Sequence, residues 1–258
     1  MSALEDTLRV LEAIAPSRLA ADWDNVGLLV RGTRACDTIL CAIDCTTQVV
    51  DEVLERNVDL LIAYHPPIFG GLERLDGATP RNASILRLVR AGVHVYSPHT
   101  ALDAQTGGVN DWLLEAFGGT KEVTPIVPTC DGAATGQGRT ATLNTPTSLE
   151  HLATQLGAHL GAGHIQRVGD GAKMIHRVAV CPGAGGSLLR DVAEVDAVIT
   201  GEMRHHDQLA LMERGVSVLL AGHTESERGY LSILASKLRA SLPQCSVHVS
   251  QRDRSPLS

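Results

Sequence analysis

Aromatic residues are scarce: Phe, Trp and Tyr together make up 3% of the 258 residues. The core must therefore be built mainly of Ala, Val, Leu and Ile. Basic charge is short as well. Against 29 Asp and Glu stand 22 Lys and Arg, for a formal charge of −7, and Lys and Arg form no run. The electrostatic footprint of a nucleic-acid-binding protein is missing, so no direct nucleic-acid partner is expected. The cysteines Cys36, Cys41, Cys45, Cys130, Cys181 and Cys245 include no Cys-x-x-Cys pair, and a chain of this length does not need disulfide staples. Several lie within apolar runs, where a free thiol packs as a small hydrophobe. No uninterrupted apolar stretch approaches membrane-spanning length. Residues Met1 to Ala15 alternate charge with Leu, Val and Ile at helical spacing, unlike the apolar core of a signal peptide. A reducing, cytoplasmic location without membrane attachment is the expectation. The length suits one large core or two smaller lobes.

What is present is a repetition. Arg90-Ala91-Gly92-Val93-His94-Val95-Tyr96-Ser97-Pro98-His99-Thr100-Ala101-Leu102-Asp103 is echoed by Arg214-Gly215-Val216-Ser217-Val218-Leu219-Leu220-Ala221-Gly222-His223-Thr224-Glu225-Ser226-Glu227. Each copy runs from a basic helix end through a Gly turn and an apolar strand into His-Thr-x-x-acid. The segments before them match too. In the first half, Thr38 to Ile43 reads as a strand, Gln48 to Arg56 as a helix, Asp59 to Ala63 as a buried strand and Ser84 to Arg90 as a helix. In the second half the corresponding segments are Arg177 to Val180, Leu188 to Val195, Asp196 to Thr200 and Asp207 to Arg214. Alternating strand and helix with short links predicts parallel α/β layers, whose ligands gather at the carboxyl ends of the strands. The boundaries predicted are a first α/β lobe over 1–124, a small insert over 125–174 and a second lobe over 175–258, with the lobes intertwined. An amphipathic helix over Leu4 to Ala15 precedes the first lobe. Asp22 to Val30 reads as a polar turn entering a strand, with Trp23 packed on the core.

The residues at the strand ends carry the chemistry. A strand that ends in imidazole and carboxylate offers the nitrogen and oxygen donors that a divalent cation takes. His65 closes a buried strand ahead of two prolines that stiffen the backbone; it is a cation ligand or a satisfied core histidine. Asp103 is a hard anionic donor or the cap of the next turn, and His99 either binds beside it or orients it. His223 and Glu227 form the strongest pair, at i and i+4 at a helix start, although a Glu there also suits the helix dipole. Glu202, His205 and His206 occupy the loop equivalent to Tyr64 and His65; His206 is the better candidate to support a ligand. Asp44 ends the first strand beside this cluster or caps the helix after it. Gly183-Ala184-Gly185-Gly186 lacks both dinucleotide and Walker spacing. The insert histidines His151, His159, His164 and His176 have no acidic partner at ligand spacing.

These motifs resemble the Ngg-interacting-factor-three-like family, whose members are also labelled GTP cyclohydrolase type-2 homologues. The resemblance is carried by Asp22-Trp23-Asp24-Asn25-Val26-Gly27-Leu28, Tyr64-His65-Pro66-Pro67-Ile68-Phe69 and Ser97-Pro98-His99-Thr100-Ala101-Leu102-Asp103. It continues through Gly107 to Leu113, Thr200-Gly201-Glu202-Met203-Arg204-His205-His206 and Gly222-His223-Thr224-Glu225-Ser226-Glu227-Arg228-Gly229, in order along nearly the whole chain. It implies two similar, intertwined α/β lobes with a divalent-metal site between them, and assembly as dimers or ring-shaped hexamers. The ligand positions it implies are His65, Asp103, His223 and the bridging Glu227. Many bacterial members have two consecutive histidines where this chain has Tyr64-His65; the Tyr-His-Pro-Pro form belongs to the eukaryotic-type branch. A second cation would then have only His223 and Glu227, with Tyr64 or water, so one or two metals per chain are expected. Zinc, manganese, iron, cobalt and nickel all suit such donors.

The leading expectation is a metal-dependent hydrolase that acts on a nucleotide-like small molecule through metal-activated water. Glu227 is its catalytic residue, and Tyr64, His99, Glu202 and His206 line or support the site. The alternatives are a metal carrier or insertion factor, and a regulatory interaction protein without catalysis.

Overall fold

The computed structural model describes residues 3–129 and 134–256, so Cys130, Gly132 and Ala133 lie outside the described residues. The chain divides into two compact units, Met1–Leu102 with Tyr230–Ser258, and Asp103–Gly229. It leaves the first unit inside one helix and returns to it at Tyr230.

In the first unit, α1 (Ala3–Ile14) is followed by β1 (Gly27–Val30), β2 (Thr38–Ala42), α2 (Thr47–Glu55), β3 (Leu60–Ala63), α3 (Pro80–Arg90) and β4 (His94–Ser97). Then α4 (His99–Ala104) begins; the C-terminal part adds α10 (Tyr230–Ser241) and β13 (Ser246–Val249). The sheet order is β1-β4-β3-β2-β13. β13, β2, β3 and β4 run parallel and β1 antiparallel. β3 is buried throughout, as a parallel strand covered on both faces must be. Val49, Val50 and Val53 of α2 pack with Leu40, Leu61, Leu88 and Val95. Strand β13 is secured by Glu52, a buried carboxylate of α2 that accepts from Ser250 Oγ (2.5 Å), Gln251 N (3.1 Å), Arg252 N (3.2 Å) and Arg56 Nη1 (2.9 Å). Burial alone would raise the Glu52 pKa, but these bonds hold it below the usual carboxylate value.

The second unit contains α5 (Val109–Leu114), β5 (Thr120–Thr124), β6 (Val127–Pro128), β7 (Gly136–Gln137), β8 (Arg139–Ser148), α6 (Leu149–Leu160), β9 (Gln166–Val168) and β10 (Met174–Cys181). It continues with α7 (Gly186–Leu189), β11 (Ala197–Thr200), α8 (His205–Glu213), β12 (Ser217–Leu220) and α9 (Glu225–Arg228). Its main sheet has the order β5-β8-β10-β11-β12-β9, and β6 pairs with β7. β10, β11 and β12 are parallel; β8, β5 and β9 join antiparallel. Ser148 caps α6 by accepting from His151 N, as its position before an apolar helix suggests.

The parallel layers appear where the alternation predicted them. The partition differs from boundaries at 124 and 174. Residues 125–174 supply β8 and β9, both members of the main sheet of the second unit, and β13 pairs with β2, which assigns the C-terminal helix and strand to the first unit. The helix expected over Leu188 to Val195 is reduced to the four residues of α7. Glu194 has φ +56°, a left-handed conformation that a right-handed helix cannot contain. Val192 and Val195 still reach the core from irregular backbone. Among the described residues, no helix is long and apolar enough to cross a membrane.

Candidate metal centre

In the first unit the donors follow the carboxyl ends of β2, β3 and β4. Tyr64 N donates to Ala42 O (2.8 Å) and His65 N to Ile43 O (3.0 Å), so the turn after β3 stays in register with β2. Pro66 and Pro67 are buried, and Arg81 donates to Pro67 O at 2.5 Å and Phe69 O at 2.8 Å. His65 Nδ1 lies 2.9 Å from Asp44 Oδ1. A carboxylate on one ring nitrogen fixes the tautomer and direction of histidines that bind metal through the other. Asp44 is thereby accounted for. The cap of α2 is Thr46, whose side chain accepts from Val49 N.

His99 opens α4 at φ +27°, a sparsely populated conformation that needs support from its surroundings. Asp24 provides it. One carboxyl oxygen is 2.8 Å from His99 Nδ1; the other accepts from Thr100 N (3.1 Å) and Thr100 Oγ1 (2.5 Å). Burial acts to raise the Asp24 pKa, but these bonds hold it below the ordinary value. His99 is thus engaged by Asp24, a residue of the polar turn that precedes β1. Tyr64 is buried, its ring 5.1 Å from that of His65 and 5.6 Å from that of His99. Trp23, expected in the core, is 65% exposed. Its bulk lies on the surface because the Asp24 beside it turns inward to His99.

In the second unit, Asp103 lies one turn beyond His99 in α4. Its carbonyl accepts from Asn110 Nδ2 at 3.0 Å. The chain after it is held by Arg139, which is 1% exposed. Arg139 donates to Asp111 Oδ1 (2.6 Å) and to the carbonyls of Ala104, Gln105, Gly136 and Gly138. Nothing in the sequence pattern marked Arg139, because its partners are mostly backbone oxygens.

After β12, His223 Nδ1 stands 3.2 Å from Glu202 Oε1 and His223 Nε2 stands 3.7 Å from Glu227 Oε1. Glu227 is buried and Glu202 exposed. Ser226 braces the pair: its Oγ accepts from Gly183 N (2.8 Å) and donates to His223 O (2.6 Å). Gly183 has φ +61°, and a Cβ there would lie 2.2 Å from Glu227 Oε1 and 3.2 Å from His223 Nε2. The glycine after β10 is therefore a cradle that keeps two donor atoms accessible, which its loose glycine pattern did not reveal. Cys181 has its thiol pushed upward by burial, with the Asp103 and Glu227 carboxylates adding to the effect; both carboxylates act on one buried point. His206 is exposed on the first turn of α8, its ring 5.5 Å from that of His205.

In each unit an imidazole carries a carboxylate on its Nδ1, His65 with Asp44 and His223 with Glu202, and in the second unit a bare Cα stands beside Glu227; donors of this kind suit a divalent cation. They do not resemble a thiol-based site. Among the described residues all five cysteines carry free thiols, and burial raises Cys36 to about 11 and Cys41 and Cys45 to about 12.

Comparison with known proteins agrees with the motifs. The family model Duf34/NIF3 (NGG1p interacting factor 3) matches residues 2–256. The chain is 38% identical to "Protein NIF3 homolog" of Schizosaccharomyces pombe, over 97% of this chain and 95% of that protein. It is 29% identical to "GTP cyclohydrolase 1 type 2 homolog" of Clostridium acetobutylicum, over 98% and 97%. Among solved structures, a Bacillus cereus protein related to NIF3 superposes with a TM-score of 0.87 at 19% identity, covering 98% of each chain, a likeness of fold. The chain belongs to the Duf34/NIF3 family.

Proposed function

We propose, following the family resemblance, that His65, Asp103, His223 and Glu227 are the ligands of a divalent cation, and that the protein is a metal-dependent hydrolase for a nucleotide-like substrate. The observation that carries this reading is the buried Glu227 carboxylate 3.7 Å from His223 Nε2, with Gly183 leaving both atoms uncovered. A divalent cation supplies Lewis acidity and lowers the pKa of water. The chain's own residues do the rest. Asp44 and Glu202 aim the two imidazoles, Ser226 fixes the backbone between His223 and Glu227, and Asp24 anchors the start of α4. Glu227, buried beside Gly183 and His223, is the residue we assign to anchoring the cation and accepting a proton during hydrolysis. The nucleotide class is suggested by the name of the Clostridium acetobutylicum relative.

A second reading, a metal carrier or insertion factor, is favoured by Tyr64. It stands where a second imidazole would strengthen the ligand set, and weaker ligation suits release. We read the protein as cytoplasmic from its cysteines, which include no Cys-x-x-Cys pair, and the charged helical pattern of residues 1–15, and as self-associating, in dimers or rings, on the strength of the family resemblance.

Elemental analysis of purified wild type and Glu227→Ala tests the assignment. About two metals per chain, both lost in the variant, support a bridged hydrolytic centre. About one loosely held metal supports the carrier. No metal after metal-replete purification removes both readings.

A further inference from the structure

In a chain so poor in aromatics, two of them stand in solvent. Trp23 is 65% exposed and Phe69 43%, while Tyr64, Tyr96, Trp112, Phe117 and Tyr230 are all buried. The exposed pair is not scattered. The Trp23 and Phe69 rings meet edge to face, with centroids 6.1 Å apart and planes at 78°. Trp23 also meets His99 at 6.0 Å and 76°.

The backbone beneath both rings is braced. Asn25 Nδ2 donates to Ile68 O at 2.6 Å, tying the turn of Trp23 to the turn of Phe69. Arg81 holds Phe69 O, and Asp24, next to Trp23, holds His99 and Thr100. Two rings near a right angle form a corner in which a flat ring stacks on one face and meets the edge of the other. Because the turns are already fixed, little order is lost when a ligand enters.

We infer that Trp23 and Phe69 form a stacking platform for the planar heteroaromatic ring of a nucleobase-like ligand. Their exposed area amounts to about 250 Å², far below the roughly 800 Å² that each partner contributes to a stable protein interface. The surrounding turn is polar, with Asp22 and Asn25 exposed. The platform also adjoins the candidate metal ligands of its own unit. His99 touches Trp23 and lies 5.4 Å, ring to ring, from His65. A ring with a nitrogen and a carbonyl oxygen side by side on one edge, as guanine has in N7 and O6, combines a stacking face with acceptors directed at that histidine end. The choice of ligand class rests on the nucleotide reading above; the platform itself needs no metal.

The test is a titration of the full-length protein with guanosine, which has no phosphate, followed by tryptophan emission before and after chelator treatment. Trp112 is buried and Trp23 exposed, so Trp23→Leu isolates the surface signal, with circular dichroism confirming its fold. Guanosine is expected to quench wild-type emission in both metal states, and ribose 5-phosphate to leave it unchanged. Binding should weaken roughly five- to hundred-fold in Trp23→Leu, read by equilibrium dialysis, and to a smaller extent in Phe69→Leu. No quenching of the wild type, or quenching and affinity unaltered in Trp23→Leu, overturns the platform. Emission that shifts with protein concentration alone assigns the corner to a second copy of the chain and also overturns it. Quenching by guanosine in protein that takes up no metal even after metal-replete purification keeps the platform and removes only the metal reading; metal uptake without quenching does the reverse.

Discussion

The two units place the same carboxylate-to-imidazole pairing one strand apart. In the first unit the middle parallel strand, β3, delivers the imidazole, His65, and the loop after β2 delivers its carboxylate, Asp44. In the second unit β12 delivers the imidazole, His223, and the loop after the middle strand, β11, delivers its carboxylate, Glu202. At the third strand the halves diverge. His99 is taken by Asp24, whereas His223 keeps Glu227 within 3.7 Å. The first-strand position differs as well, since Gly183 stands where the first unit has Asp44. Duplication supplies equivalent strand ends, and a shift of one strand decides which of them pair an imidazole with a carboxylate.

The shift is broken most severely at Gly183. Gly183→Ala forces a Cβ to 2.2 Å from Glu227 Oε1 at a φ of +61°. We expect loss of bound metal of the same order as in Glu227→Ala, with about 1–3 kcal/mol of destabilisation from the strained backbone, measured by elemental analysis and denaturant unfolding. Wild-type metal content would show that Glu227 is not a ligand.

The units also differ beside the first parallel strand: β13 continues the parallel sheet in one, antiparallel β8 flanks it in the other. Glu52→Gln probes the former. It should lower stability by roughly 1–3 kcal/mol while leaving metal content unchanged. The Glu52 carboxyl has a folded pKa below the ordinary glutamate value. Its contribution is therefore fully present above the unfolded pKa and disappears as pH falls through the folded value. The gap between wild type and variant in denaturant unfolding should be constant near neutrality and close under acid; a gap that widens in acid contradicts this assignment.

The gentlest test compares the two orienting carboxylates. Asp44→Asn should weaken metal binding by roughly ten- to hundred-fold, and Glu202→Gln by less. The Glu202 side chain is 62% exposed against 36% for Asp44, so water replaces it more readily. Competition with a chromogenic chelator reads both. Equal losses would mean that exposure does not grade these interactions.

The sequence made the parallel strands legible because their apolar runs are short, bounded and repeated. The His-Thr-x-x-acid echo led directly to His223 with Glu227, since both lie within one helical turn of a strand end. Contacts made across long separations were not legible. Asp24 reaches His99 and Thr100 from 75 and 76 positions away, and no local pattern announces that bond. Asp44 had two readings until Thr46 took the cap. Trp23 reads as a core residue of a helix-to-strand connector, whereas the neighbouring buried carboxylate decides which way the turn faces. Ser226 and Gly183 act through backbone atoms and leave no signature in composition.

The return of the chain to its first unit has a consequence for synthesis. The register of β13 on β2 joins Ser246 to Thr38, so the outer edge of β2 has no partner strand until some two hundred further residues have been made. Residues Asp103–Gly229 are contiguous and emerge as one block that needs no later segment to complete its sheet. An exposed parallel edge invites pairing with the wrong strand, and closing so long a loop is slow. The vulnerable interval in the life of this protein is the time between the emergence of β4 and the arrival of β13, during which half of it is finished before the half that began first.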